Sequence, residues 1–222
     1  MNSSIKLCLC LIVVYLSTFS VSAYNSTKNI VSVPYEVTTI EGDLNLQKEY
    51  LGELKGDPHM YEFGVGSTTK LSLSLMQAVE TDLLPLSLII IKQNDDRGGV
   101  TEIGRLNNKN IKWQKFEDSA LGVNLSKSES FVVDLSPGIY RVEVSSPDNV
   151  GKYALVIGDE KNAQGYFKEL SNIYTIETFF GGSIFSMIKS SYVYYPLGII
   201  ILIILLYLTW RKRFQITSLK HD

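Results

Sequence analysis

The sequence predicts an all-β chain: an antiparallel β-sandwich, jelly-roll-like, followed by a juxtamembrane helix and one C-terminal transmembrane helix. Three observations lead there. Short runs of alternating apolar and polar residues recur from Val33 to Ile157, the period of half-buried antiparallel strands. Turns rich in Gly, Pro, Asn and Asp separate the runs about every ten residues. A long apolar segment bounded by aromatic and basic residues comes near the end.

Taken in order, residues 1–23 read as a signal peptide. Lys6 supplies a positive start, residues 7–16 an apolar run too short to cross a membrane, and Val21 and Ala23 the small-residue pattern before a cleavage site. Cys8 and Cys10 both fall inside it, and these are the 2 cysteines of the chain. The remainder therefore carries no disulfide framework, no CxxC metal knuckle and no thiol nucleophile.

Residues 24–159 form the expected extracytoplasmic sandwich. "VPYEV" places Val33, Tyr35 and Val37 on one face. "MYEFGV" does so for Tyr61, Phe63 and Val65, and "LSLSLMQ" sets Leu71, Leu73 and Leu75 against Ser72 and Ser74. "LSLIIIK", residues 86–92, lacks alternation and reads as a strand buried on both faces. "IKWQKF" supplies Ile111 and Trp113. "FVVDL" directs Phe131, Val133 and Leu135 inward, "YRVEV" Tyr140, Val142 and Val144, and "YALVI" Tyr153, Leu155 and Ile157. Glu41-Gly42-Asp43, Lys55-Gly56-Asp57-Pro58, residues 95–99 and Asn107-Asn108-Lys109-Asn110 are the turns between them. About eight or nine strands with no long helical pattern among them make a sandwich or jelly roll.

Residues 160–191 switch period. Phe167, Leu170, Ile173 and Tyr174 recur at helical spacing, and Gly181-Gly182 follows. This predicts an amphipathic helix near the membrane and then a hinge, with a helix packed on the sandwich edge as the alternative. Residues 192–210 are the transmembrane helix, with Tyr192, Tyr194 and Tyr195 at one end and Tyr207 and Trp210 at the other. Arg211, Lys212 and Arg213 follow, so the tail, 211–222, is placed in the cytoplasm and the sandwich outside.

Charge supports the split. Residues 24–192 hold 16 Lys+Arg against 22 Asp+Glu, a net −6, and residues 211–222 hold 4 against 1, a net +3. A mildly acidic outer domain lacks the basic face that nucleic acid requires.

Candidate chemistry is sparse. "GVGSTTK", residues 64–70, lacks the Gly-Lys-Ser/Thr order of a phosphate loop and reads as a turn. His59 and His221 are the 2 histidines. A Ser-His-Asp triad would have to use His59, which follows Pro58 and reads as a solvated turn residue. No metal site is expected from one outer histidine and no outer cysteine, and no cofactor is expected. Asn94-Asp95-Asp96 and Asp148-Asn149 offer oxygens that suit calcium, but Asx residues equally build turns. Asn25 and Asn124 begin glycosylation sequons that matter only in a eukaryotic host.

The stretch "FVVDLSPGIYRVEVSSPDNVGKYALVIGD" resembles the closing hairpin of bacterial and archaeal pre-peptidase C-terminal domains. Pro137-Gly138 stands at the turn, Tyr140, Val142 and Val144 on the strand, and Gly151, Tyr153 and Leu155 on its return. The resemblance covers residues 61–159. The whole chain is similar to a set of uncharacterised microbial single-pass membrane proteins. "PLSLIIIKQ" lacks the acidic strand that the secreted domains carry, so no ion site is transferred. The resemblance implies a jelly-roll fold and an accessory, non-catalytic role, and it supplies no ligand.

The expected function is a membrane-anchored, non-catalytic interaction module. Its partners would be the lipid bilayer and an envelope protein or glycan. A surface hydrolase acting through carboxylates, or a small accessory subunit of a membrane complex, are the alternatives.

Overall fold

Two sheets lie face to face, and a helical layer covers the back of one of them. The computed structural model describes residues 25–29, 35–79, 83–94, 98–116, 118–161 and 164–218. The signal peptide expected at 1–23 lies outside the described residues. The described chain forms β1 (Ser26–Asn29), β2 (Val37–Thr39), β3 (Lys48–Lys55), β4 (His59–Val65), β5 (Thr69–Ala78), β6 (Ser87–Gln93), β7 (Val100–Leu106), β8 (Trp113–Phe116), β9 (Leu125–Ser128), β10 (Phe131–Leu135), β11 (Gly138–Ser145) and β12 (Val150–Ile157). Then come α1 (Tyr166–Phe179), a 3-10 turn (Ser186–Lys189) and α2 (Ser191–Ser218).

The first sheet runs β1-β3-β12-β5-β9-β8, with β10 sharing the edge of β5, and the second runs β2-β4-β11-β6-β7. Successive strands from β1 to β6 alternate between the sheets. The sheets are mixed rather than purely antiparallel, because the short outer strands β1 and β2 pair parallel with β3 and β4. β2 also replaces the expected "VPYEV" face. Val33 lies outside the described residues, and Tyr35 is 63% exposed in a left-handed turn with φ 61°.

Between the sheets sits the main core. Leu71, Leu73 and Leu75 from β5 meet Tyr61 and Phe63 from β4, Leu88 and Ile90 from β6, Val142 and Val144 from β11, and Leu155 and Ile157 from β12. All are buried, as the alternating pattern requires. β6 departs from expectation. Leu88 and Ile90 point inward, but Ile89 and Ile91 are only half-buried on the outer face. The sheet buried on both faces is the first, where Leu51, Met76, Ala154 and Val156 point away from the main core into a second cluster with Ile173 and Ile176 of α1.

A bulge links the two cores. Met76 faces Lys127, whereas Leu73 faces Phe131, so one extra residue is inserted where β9 passes into β10. There the Ser128 hydroxyl accepts the Leu75 N–H at 2.9 Å. The insertion flips the side-chain alternation: Leu125 packs under α1, while Phe131 and Val133 face the main core.

α1 packs on the first sheet, in the manner of the sequence alternative, and with a different face than the spacing indicates. Ile173 and Ile176 are buried together with Glu169, Asn172 and Glu177, whereas Phe167 and Tyr174 point outward. Gly181-Gly182, the expected hinge, forms a turn after α1. Gly181 takes φ 84°, and a Cβ on Gly182 would come within 2.8 Å of the Glu177 carbonyl. α2 continues past Trp210 to Ser218, and its segment Ser191–Arg211 is long and apolar enough to cross a membrane.

Candidate functional site

Inside the sandwich, one polar chain interrupts the apolar core. Tyr153 on β12 sits opposite Gly52 on β3, where any Cβ would fall 2.6 Å from the ring, so glycine opens the space that the tyrosine fills. The Tyr153 hydroxyl lies 2.8 Å from the Tyr61 hydroxyl and 2.8 Å from Nδ1 of His59. His59 is therefore not the solvated turn residue that Pro58 suggests. It is the first residue of β4, points inward, and is 3% exposed. Burial lowers its pKa, so the imidazole is held neutral. Burial, reinforced by Tyr61, lifts the Tyr153 phenol well above its usual range. The arrangement satisfies three buried polar groups against one another, which is what a core requires of them.

The polar loops are similarly occupied. In the 146–150 loop, Asn149 takes φ 47° and its side-chain oxygen accepts the Ser146 N–H at 3.1 Å, while the Ser146 hydroxyl accepts the Val150 N–H at 3.2 Å. The Asn149 N–H also donates to the Ser146 carbonyl at 3.0 Å, which closes a β-turn. At Pro137-Gly138, the Tyr140 hydroxyl donates to the Ser136 carbonyl at 2.7 Å and fixes the corner. Residues 66–68 join β4 to β5, with the Thr69 hydroxyl donating to the Ser67 carbonyl. Asn94 pairs with Thr101, and Asp95 and Asp96 lie outside the described residues. Among the described residues no group of three or more His, Cys, Asp or Glu is placed to hold a metal ion.

Buried carboxylates instead line the seam between the first sheet and the helical layer. Glu49 on β3 accepts the Asn25 N–H at 2.8 Å and the Gln47 amide at 2.5 Å. Burial raises its pKa, against those two hydrogen bonds and the nearby Lys127. Glu169 on α1 accepts the Gln164 N–H at 3.0 Å. Glu177, about two turns further along the same face, accepts the Gly122 N–H at 2.6 Å and the Ser186 hydroxyl at 2.7 Å. One carboxylate thus ties α1, the 118–124 loop and the 3-10 turn together. Alternation marks no position for such groups, because their burial comes from packing α1 on the first sheet. A half-open cleft of about 290 Å³ lies at the C-terminal end of this layer, lined by Gln77, Leu84, Lys152 and Phe180 among others. Its polar side chains are engaged: Gln77 Oε1 accepts the Leu84 N–H at 2.7 Å, and Lys152 donates to the Phe179 carbonyl at 2.9 Å.

The seam ends at the apolar helix. Pro196 has no N–H, so the helical bond that would end on the Tyr192 carbonyl is missing. The Tyr166 hydroxyl of α1 donates to that carbonyl at 2.6 Å, and the two rings stack with centroids 5.9 Å apart. The Ser191 N–H donates to the Ser119 carbonyl at 2.7 Å. Tyr192 packs partly against the second core, and the Tyr194 and Tyr195 rings meet at 4.3 Å. Trp210 and Arg211 are exposed at the far end. Lys212 and Arg213 continue the helical backbone, and their side chains lie outside the described residues. Asn25 is half-buried just before β1, and Asn124 is exposed just before β9. Neither sequence motif flagged the Tyr166–Tyr192–Pro196 junction. Pro196 just inside an apolar helix, with a tyrosine four residues before it, is the only local signal.

No family model matches the chain, and no curated protein matches it. Among solved structures, it is similar to the pre-peptidase C-terminal domain of a collagenase from Bacillus anthracis. The likeness has 18% identity and a TM-score of 0.35, over 58% of this chain and 98% of that one. The sandwich described above rests on its own strands, register and cores.

Proposed function

We propose that the protein is a membrane-anchored, non-catalytic module that binds another protein or a glycan through its sandwich. In this reading α2 crosses the membrane with the sandwich outside and the short tail inside. The observation that carries the proposal is the unequal treatment of the two sheets. The helical layer covers the outer face of the first sheet and ties it to the foot of α2. The outer face of the second sheet instead presents a mixed apolar and charged surface. Arg141 on β11 donates to Glu62 on β4 at 2.7 Å, Gln93 on β6 joins them at 2.9 Å, and Ile89, Ile91 and Ile139 lie around this group. Partly exposed aliphatics beside an oriented ion pair suit a binding face, with the apolar groups giving area and the pair giving register.

The test is crosslinking in native membranes followed by capture of the full-length protein. The proposal predicts a discrete partner for the wild type, reduced by Ile139→Asp, which alters the binding face without touching a core. Capture that ignores this substitution contradicts the assigned face. Turnover of a glycan or peptide library by the purified protein contradicts the non-catalytic reading.

A further inference from the structure

The link between α1 and α2 turns one apolar side chain inward and three outward. Met187 is buried in the second core, whereas Ile184, Phe185 and Ile188 are 68%, 75% and 49% exposed. Phe185 and Ile188 stand three residues apart across the 3-10 turn, a spacing that puts side chains on one side. At about 2.0 Å per residue, Phe185 lies within roughly 12 Å along the chain of the start of α2. Phe167, 83% exposed, stands near the start of α2: its ring lies against Tyr166, which stacks on Tyr192. Lys189 is exposed next to Ile188.

These side chains are not free to fold inward. The Ser186 hydroxyl is held by Glu177, the Ser186 N–H by the Ser183 carbonyl, and the Ser190 N–H by the Met187 carbonyl. The segment is thus fixed with its apolar side out. Beyond the buried Ser190 and Ser191, the chain carries the exposed Leu197, Ile200, Ile201 and Leu202 of α2. A single medium that covers both surfaces is the hydrocarbon and headgroup boundary of one leaflet.

We propose that Ile184, Phe185 and Ile188 form an interfacial lipid contact that seats the helical layer in the outer leaflet of the bilayer. The apolar side chains enter the acyl boundary as those of interfacial helices do, and the Lys189 ammonium meets lipid phosphate. The inference rests on the membrane-anchored reading and adds to it a fixed tilt: the first sheet faces the membrane and the second faces away.

Full-length protein carrying Cys8→Ser and Cys10→Ser tests this. Single cysteines replacing Phe185, Ile188, Ile139 or Ile203 are spin-labelled in vesicles of phosphatidylcholine with a minor fraction of phosphatidylglycerol. Accessibility to oxygen is then compared with accessibility to a water-soluble nickel chelate. The proposal expects the oxygen-to-nickel ratio at positions 185 and 188 to shift towards that at 203 and away from that at 139. Water-like values at 185 and 188 with lipid-like values at 203 overturn it and leave the anchor standing. Low accessibility to both reagents at 185 and 188 also overturns it, since a protein or a second copy then covers the surface. Water-like values at 203 remove the anchor itself, and the lipid contact with it.

Discussion

His59 is placed to carry a stability signature. Its ring is buried against Tyr153, and burial lowers its pKa below the ordinary 6.5. In the unfolded chain the imidazole takes up a proton as the pH falls below that value, while in the folded chain it stays neutral. The unfolded state then binds more protons, so stability is present above about pH 6.5 and is lost progressively as the pH falls towards the folded pKa. The unfolding midpoint of the wild type should therefore drop on acidification across this window. His59→Gln, which keeps a hydrogen-bonding side chain and cannot titrate, should flatten that limb in thermal melts followed by near-UV circular dichroism. An unchanged acid limb assigns it to other groups. The buried setting of His59 was not legible in the sequence, because Tyr153 lies 94 residues away and Pro58 gives a turn signal just before the strand.

At the scale of elements, the junction between α1 and α2 joins three local choices. Pro196 frees the Tyr192 carbonyl, Tyr166 supplies a hydroxyl to it, and Glu177 holds the link between the helices. Removing the hydroxyl by Tyr166→Phe should cost about 1 kcal/mol, the usual net value of one hydrogen bond. Pro196→Ala returns a helical N–H to the same carbonyl. In that background Tyr166→Phe should cost distinctly less, so a double-mutant cycle by chemical unfolding in detergent micelles should show coupling. Additive effects contradict the shared carbonyl. Strands such as β5 and β11 were legible because the main core accepts every second residue and turn residues bound each run. The buried face of α1 was not. Glu169, Asn172 and Glu177 look like a water-facing stripe, yet Glu169 and Glu177 accept hydrogen bonds inside the seam and the aromatics Phe167 and Tyr174 stand outside. The double burial of the first sheet was hidden in the same way, since Ser74 and Ala154 do not announce an apolar back face.

For the whole molecule, the consequence is that the folding unit includes the helical layer. The sequence break at Asp159 marks the end of the strands but not of the packing, because Leu51, Met76, Leu125 and Val156 are covered by Ile173, Ile176 and Met187. Each fully buried aliphatic side chain contributes about 1.5–3 kcal/mol relative to exposure, so the loss of α1 and the 3-10 turn is comparable to the whole stability of an ordinary domain. The candidate site was legible only at its far end, in the apolar run and the aromatic and basic residues around it. The contacts that attach this run to the sandwich depend on tertiary neighbours. The most direct measurement compares two fragments, 24–159 and 24–190, by calorimetry and near-UV circular dichroism. A packed helical layer predicts one cooperative transition for 24–190 and a strongly weakened or absent transition for 24–159, with exposed apolar surface that binds a hydrophobic dye. Equal unfolding temperatures for the two fragments would contradict the account.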